Sequence, residues 1–159
     1  SIEIEPLIHG AGQENGHRAG TENVVFSVAL GKACEIAKKY AQNNEIKSLT
    51  DYFYNQLKSF FGKKIRLNGH YDLKLPNTLN VSFPEFHGYE IIEKLQDIAA
   101  STGSACHSGQ TAMSPVLKAM GLTEKEGRGA LRFSLGRYTT ENEINYVLDK
   151  LKNIFDKSN

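Results

Sequence analysis

Three places in this chain combine residue types that can do chemistry. The first is Cys106, within Ser104-Ala105-Cys106-His107-Ser108-Gly109-Gln110-Thr111. A thiolate is a strong nucleophile, and exposure beside an imidazole suits one. Two readings stay open: a small buried hydrophobe, the usual fate of a free cysteine, and a reactive thiol in a polar, exposed loop. Cys34, set among Ala33, Ile36 and Ala37, reads as the buried kind. A structural zinc site needs four clustered ligands, and His107 is the one neighbour of that type, so no metal is expected. The second place is Arg132 in Leu131-Arg132-Phe133. It reads either as an outward side chain on a half-exposed strand or as a guanidinium fork for a substrate carboxylate.

The third place is the stretch 9–20, which carries Gly10, Gly12, Gly16 and Gly20 and no sizeable apolar side chain. It ends in Arg18-Ala19-Gly20-Thr21 at a helix start. Free backbone N–H groups and the Thr21 hydroxyl suit an anion there; the plain alternative is a capped helix after a loop. No Gly-Lys-Ser/Thr follows, so it is not a nucleotide P-loop, and no strand precedes it as a dinucleotide fingerprint requires. No lysine stands in a special context, such as a His-Lys pair in a glycine-rich loop.

These residues need elements to position them. Val24, Val25, Val28, Ala29, Ala33, Ile36, Ala37 and Tyr40 recur at helical spacing, with Thr21 read as the cap. Ile46, Leu49, Phe53, Leu57 and Phe60 form a second helical stripe, closed by Gly62. Residues 64–69 read as a short strand into a turn. Thr78 to Phe83 alternates between Pro76 and Pro84 and reads as a strand. Tyr89 to Ala99 reads as a helix. Small residues then dominate to residue 113, where Ser114-Pro115 opens a short helix that Gly121 closes. Ala130 to Leu135 reads as a strand, and Thr140 with Glu143 is a capping box opening a last helix. This order predicts an α+β two-layer sandwich, a small, mostly antiparallel sheet packed with helices.

The bulk properties set the frame. The chain has 159 residues, 40% hydrophobic and 23% charged, with 19 Lys+Arg against 18 Asp+Glu. That is an ordinary globular composition. A net charge of +1 gives no support to nucleic-acid or acidic-lipid binding. No apolar run approaches the roughly 20 residues of a bilayer span, so no membrane partner is expected. Two cysteines make no disulfide framework, and a reducing cytoplasm is the expected compartment. The opening Ser1-Ile2-Glu3-Ile4-Glu5 reads as the end of a strand or loop belonging to something upstream.

Taken together, the motifs resemble one family. Residues 13–23 (Gln-Glu-Asn-Gly-His-Arg-Ala-Gly-Thr-Glu-Asn) are similar to the R-x-G-T region of cysteine desulfurases and selenocysteine lyases. These are class V, fold-type I pyridoxal-phosphate enzymes. Residues 76–83 (Pro-Asn-Thr-Leu-Asn-Val-Ser-Phe) resemble their P-N-x-x-N-x-S-F strand, residues 104–108 their catalytic-cysteine loop, and residues 131–140 their substrate-arginine strand. The four motifs stand in family order and cover the chain nearly end to end.

The resemblance implies roles. Cys106 would take sulfur from the cofactor-bound substrate and carry it as a persulfide while alanine leaves. Arg132 would hold the substrate carboxylate, and Thr21 would contact the phosphate of pyridoxal 5'-phosphate across a homodimer interface. His107 is similar to what selenocysteine lyases carry, so L-cysteine and selenocysteine both stand as substrates. A sulfur-acceptor or scaffold protein is the implied partner, in iron–sulfur cluster assembly, thionucleoside synthesis or selenium recycling. The family's cofactor-attachment lysine, stacking histidine and pyridine-nitrogen aspartate lie upstream of the matched region. The chain is therefore expected to be the C-terminal small domain (residues 21–159) with a remnant of the large domain (residues 1–20), inactive alone. From a different class, a standalone module that docks a sulfur acceptor is the competing reading.

Overall fold

Strand alternation places two chemically different faces on the sheet, and that division builds the fold. A computed structural model of the chain describes residues 3–41, 44–102 and 113–156. Six α-helices and three strands follow in the order α1 (Val24–Ala41), α2 (Glu45–Phe61), β1 (Arg66–Leu67), β2 (Thr78–Ser82), α3 (Gly88–Lys94), α4 (Pro115–Ala119), α5 (Glu124–Arg128), β3 (Ala130–Ser134) and α6 (Glu141–Asp156). The chain divides into two units, Ser1–Gln42 and Asn43–Asn159.

In the second unit the sheet runs β1-β2-β3, antiparallel throughout. Leu79 lies opposite Phe133, Val81 opposite Leu131, and Asn80 opposite Arg132. The apolar members of these pairs face α2 and α6, where Phe53, Leu57, Leu148 and Leu151 close the core. Aromatic rings fill it edge to face: Phe53 meets Phe133 at 5.1 Å, and Phe86 meets Phe155 at 4.2 Å between centroids. Such pairs add to the burial of their area. The opposite face carries Thr78, Asn80, Ser82, Arg132 and Ser134. One end of that face is covered by α4 and α5, where Leu117, Leu122 and Ala130 form a small second cluster joined by Met113. The α+β architecture is the one the pattern predicts.

Local signals decided several elements as read. The Thr140–Glu143 capping box forms: the Thr140 N–H donates to Glu143 Oε2 at 2.7 Å and the Glu143 N–H to Thr140 Oγ1 at 3.3 Å. Gly62, at φ +53°, ends α2 and donates its N–H to the Lys58 carbonyl.

Other expectations need correction. Phe61, not Phe60, completes the buried stripe of α2 with Thr50, Phe53 and Leu57; Phe60 lies out under the Lys152 ammonium. The third helix spans Gly88–Lys94 rather than reaching Ala99. Beyond it the chain is drawn to the free edge of β3, where Ser101 and Arg132 exchange backbone hydrogen bonds of 2.6 and 3.1 Å. Ser114 precedes Pro115 as expected but makes no side-chain cap bond. The five-residue α5 is unanticipated, though Thr123 and Glu126 cap it reciprocally.

The first unit holds α1 and the glycine-rich stretch. The cap of α1 is Asn23, whose Oδ1 accepts the Phe26 N–H at 3.0 Å, and not Thr21. The apolar residues of α1 are exposed, Val25 at 76% and Phe26 at 72%. Cys34 is exposed with them, against its reading as a buried residue, because helical spacing says which side chains share a face and not whether anything covers it. Among the described residues, no helix is long and apolar enough to cross a membrane, and no group of three His, Cys, Asp or Glu could hold a metal ion.

Candidate functional site

Arg132 is placed by β3. Its neighbours Leu131 and Phe133 are buried beneath the sheet, so strand alternation turns Arg132 to the other face, where it is exposed. Among the described residues its guanidinium has no hydrogen bond or ion pair, and its five N–H donors remain for a planar anion. Its backbone is fully engaged, paired with Asn80 on β2 and bridged to Ser101 on the other side. The charge is exposed at its tip, and the backbone that carries it is fixed.

A polar network flanks this face. Asn68, which follows β1, donates from Nδ2 to Asn80 Oδ1 and to Ser82 Oγ, both at 2.8 Å. Its backbone N–H donates to the Asn80 carbonyl at 2.9 Å. Ser82 is fully buried and Asn68 nearly so, so these bonds are made away from water, where an unmade one is costly. Asn77 closes the end of the same ladder: its Nδ2 donates to the Leu135 carbonyl at 3.0 Å, and the Leu135 N–H donates to its carbonyl at 2.8 Å. Asn68 was missed in the sequence. The only signal was a polar residue after a short strand, and its partners lie 12 and 14 residues away.

Glu126 pins α5 to β1 on this face through Arg66, at 2.5 Å. The Thr123 backbone N–H at 2.8 Å, the Arg66 guanidinium and the Thr123 hydroxyl hold its carboxyl well below the usual carboxylate range, at about 2. A groove of about 310 Å³ lies along the free end of β3, lined by Phe133, Ser134 and Leu135 with Asp97, Ile98 and Ala99. Arg132 is not among its lining residues.

Cys106 falls outside the described residues, as do His107 and the rest of 103–112. The chain on either side is held: Ser101 by Arg132, and Met113 in the cluster of α4 and α5.

Thr21 lies in the first unit and is exposed. The 9–20 stretch is organised: the Ala19 N–H donates to the Ile8 carbonyl at 3.0 Å, and Gly20, at φ +103°, donates its N–H to Gln13 Oε1 at 3.2 Å. Gly10 lets the two ends approach, since a Cβ there would sit 2.8 Å from the Ala19 Cβ. Arg18 folds back onto the Gly20 and Thr21 carbonyls. With Asn23 capping α1, the Thr21 hydroxyl has no cap to make. That exposed hydroxyl fits one contact to the phosphate of a cofactor such as pyridoxal phosphate, and Arg132 fits the carboxylate of an amino acid.

Comparison with known proteins bears on these residues. Residues 5–147 match the family model described as aminotransferase class-V. The chain is 39% identical over 158 residues to cysteine desulfurase IscS of Haemophilus influenzae strain PittEE, covering 98% of this chain and 39% of that protein. It is 42% identical over 159 residues to the enzyme of the same name from Dictyoglomus turgidum, covering 97% and 40%. Among solved structures it is similar to a NifS-like protein, with 33% identity and a TM-score of 0.79 over 98% of this chain and 40% of that one. The chain thus spans about two fifths of the length of the curated relatives it matches. A matched stretch running through the Arg-Ala-Gly-Thr turn, the Asn80 strand and the Arg132 strand places the chain in one family: it belongs to the class-V aminotransferases.

Proposed function

We propose that this chain carries the sulfur-handling and carboxylate-binding part of a cysteine desulfurase, which converts L-cysteine to L-alanine and passes sulfur to an acceptor. The observation that supports it most is Arg132: an exposed guanidinium with no partner among the described residues, on a strand pinned at both edges, in a chain 39–42% identical to proteins named cysteine desulfurase.

Each residue has a task in this reading. Arg132 takes the substrate carboxylate in a two-pronged, charge-assisted hydrogen bond and so orients the rest of the amino acid. Thr21 donates its hydroxyl to the phosphate of pyridoxal phosphate. That cofactor, when bound, supplies the electron sink that loosens the bonds around the substrate's α-carbon. Cys106, as thiolate, attacks the substrate sulfur. An S–S bond forms as the substrate C–S bond breaks; the carbon keeps the bonding pair, gains a proton and leaves as alanine. The sulfur stays on Cys106 as a persulfide, for transfer to an acceptor thiol. The compartment is a reducing cytoplasm, where such a persulfide is handed on by thiol exchange.

The experiment uses the protein expressed from its complete coding sequence, supplied with pyridoxal phosphate and L-cysteine. Expected are alanine in solution and a mass gain of one sulfur on the Cys106 peptide, both lost in Cys106→Ser. Selenocysteine run alongside separates the lyase reading: faster turnover of selenocysteine, independent of Cys106, would refute the desulfurase assignment. The 159-residue chain by itself is expected to form no alanine.

A further inference from the structure

The outer edge of β3 is paired at Arg132. The Ser101 N–H donates to the Arg132 carbonyl at 3.1 Å, and the Arg132 N–H donates to the Ser101 carbonyl at 2.6 Å. Antiparallel continuation of that bridge would set Ala99 opposite Ser134. Instead both residues line the groove of about 310 Å³. Among the described residues, no hydrogen bond joins Ala99 or Ala100 to β3. The segment is fastened again beyond this gap, at Asp97. Its Oδ2 accepts the Tyr146 hydroxyl and lies 3.5 Å from the Lys150 ammonium. Tyr146 and Lys150 stand four residues apart on α6, so one helix face presents a hydroxyl and a cation to one carboxylate. Lys150 also lies 5.1 Å from the centre of the Tyr146 ring. Chiefly through the Tyr146 hydroxyl, and further through Lys150, the Asp97 carboxyl is held below its usual range. The helix that supplies both partners is seated in the core by Ile144, Leu148 and Leu151. Tyr146 and the Asp97 and Lys150 side chains are themselves partly open to solvent, so the core is closed without them.

We propose that Asp97 and Tyr146 form a clasp that keeps Ser101 on the edge of β3 and so fixes the backbone from which Arg132 reaches the substrate carboxylate. Both are positioning residues that act through Arg132. The substrate comes from the desulfurase reading, on which this purpose rests; the clasp comes from the geometry. The outer N–H and C=O of Arg132 are either paired with Ser101 or open to water, and the tie to α6 favours the paired state. Released at Asp97, the segment frays from the edge more often. Arg132 then holds a carboxylate from a less fixed root, and a two-pronged bond depends on that geometry.

The test compares wild type, Tyr146→Phe, Asp97→Ala and Asp97→Asn in the complete protein supplied with pyridoxal phosphate. Tyr146→Phe removes the hydroxyl and keeps the ring that lines the groove. Asp97→Asn keeps an oxygen that accepts the hydroxyl, and serves as the rescue. Amide hydrogen exchange is read residue by residue, by mass spectrometry with electron-transfer fragmentation. Tyr146→Phe and Asp97→Ala should each speed exchange at Ser101 and Arg132 about threefold or more, the scale of one lost hydrogen bond. Exchange at Leu79 and Val81, inside the β2–β3 ladder, should not change, which separates a local release from a general loss of stability. On the same samples, KM for L-cysteine should rise about threefold or more while kcat holds, because the loss falls on substrate binding. Asp97→Asn should return both readouts to near wild type. Unchanged exchange at Arg132, equal acceleration at Leu79 and Val81, or an Asp97→Asn variant as impaired as Asp97→Ala would overturn the proposal. Where Asp97→Ala fails to fold, Tyr146→Phe and Asp97→Asn decide. No alanine from wild type refutes the desulfurase reading, and the exchange results then decide the clasp by themselves; alanine from wild type with KM unchanged in Tyr146→Phe refutes the positioning role alone.

Discussion

Replacing Asn68 with alanine tests whether the polar face beside Arg132 is held by the Asn68–Asn80–Ser82 network. Asn68 is 7% exposed and Ser82 is 0% exposed. The substitution removes two bonds of 2.8 Å, each contributing about 1 kcal/mol net. It strands the Ser82 hydroxyl, at a cost of roughly 1 kcal/mol more. It also removes the Asn68 Oδ1, which is buried without a partner, and that relief returns roughly 1 kcal/mol. The expected net loss is about 2 kcal/mol. Urea unfolding followed by circular dichroism should show a lower midpoint with an unchanged slope, the mark of a change in stability rather than in compactness. Ser82→Ala and the double variant complete a cycle, and a coupling of about 1 kcal/mol is expected because the two residues share a bond. A loss below about 0.5 kcal/mol, the range of ordinary surface changes, or strict additivity, would show that the network contributes nothing.

Other consequences follow from the same geometry. Arg132→Ala should change stability by less than about 0.5 kcal/mol, since the side chain is exposed and unpartnered among the described residues. In the complete enzyme it should lower kcat/KM for cysteine roughly ten- to a hundredfold, with Lys at that position restoring little because it lacks the fork; unchanged turnover would remove Arg132 from the substrate. Leu131→Ala, fully buried under Arg132, should cost about 2–5 kcal/mol by thermal unfolding, and a loss under about 1 kcal/mol would contradict the core assignment. Glu126 has its folded pKa at about 2, below the usual 4.5. The stability it contributes is therefore complete above pH 4.5 and lost as pH falls from there through 2. The carboxyl carbon in NMR should titrate near 2, and Glu126→Gln should flatten that acid limb; a midpoint near the ordinary carboxylate value of about 4 would contradict the Thr123 and Arg66 contacts.

Much of the fold was legible because its signals are local. A capping box spans four residues, and Thr140 with Glu143 closes the same way in any context that permits the helix. Alternation over 78–83 and 130–135 needs only the geometry of a strand to divide apolar from polar, and it put Arg132 opposite the core face. The Arg132, Thr21 and Cys106 motifs were readable as types and order. The close packing of the Met113 side chain on Gly127 was not, because a glycine chosen for space looks the same in sequence as one chosen for a turn. Nor was the Asn68 network, whose partners are chosen by strand register.

What the sequence determined by itself is whatever a few consecutive residues decide through backbone geometry: helix, strand, cap and face. Tertiary structure alone decided which face is covered. It buried Phe61 and left Phe60 out, left Cys34 and the apolar residues of α1 exposed, and drew Ser101 onto the edge of Arg132. The physical reason is range. Periodicity and capping act within a turn or two of chain, whereas burial and hydrogen-bond satisfaction depend on groups brought together from distant positions.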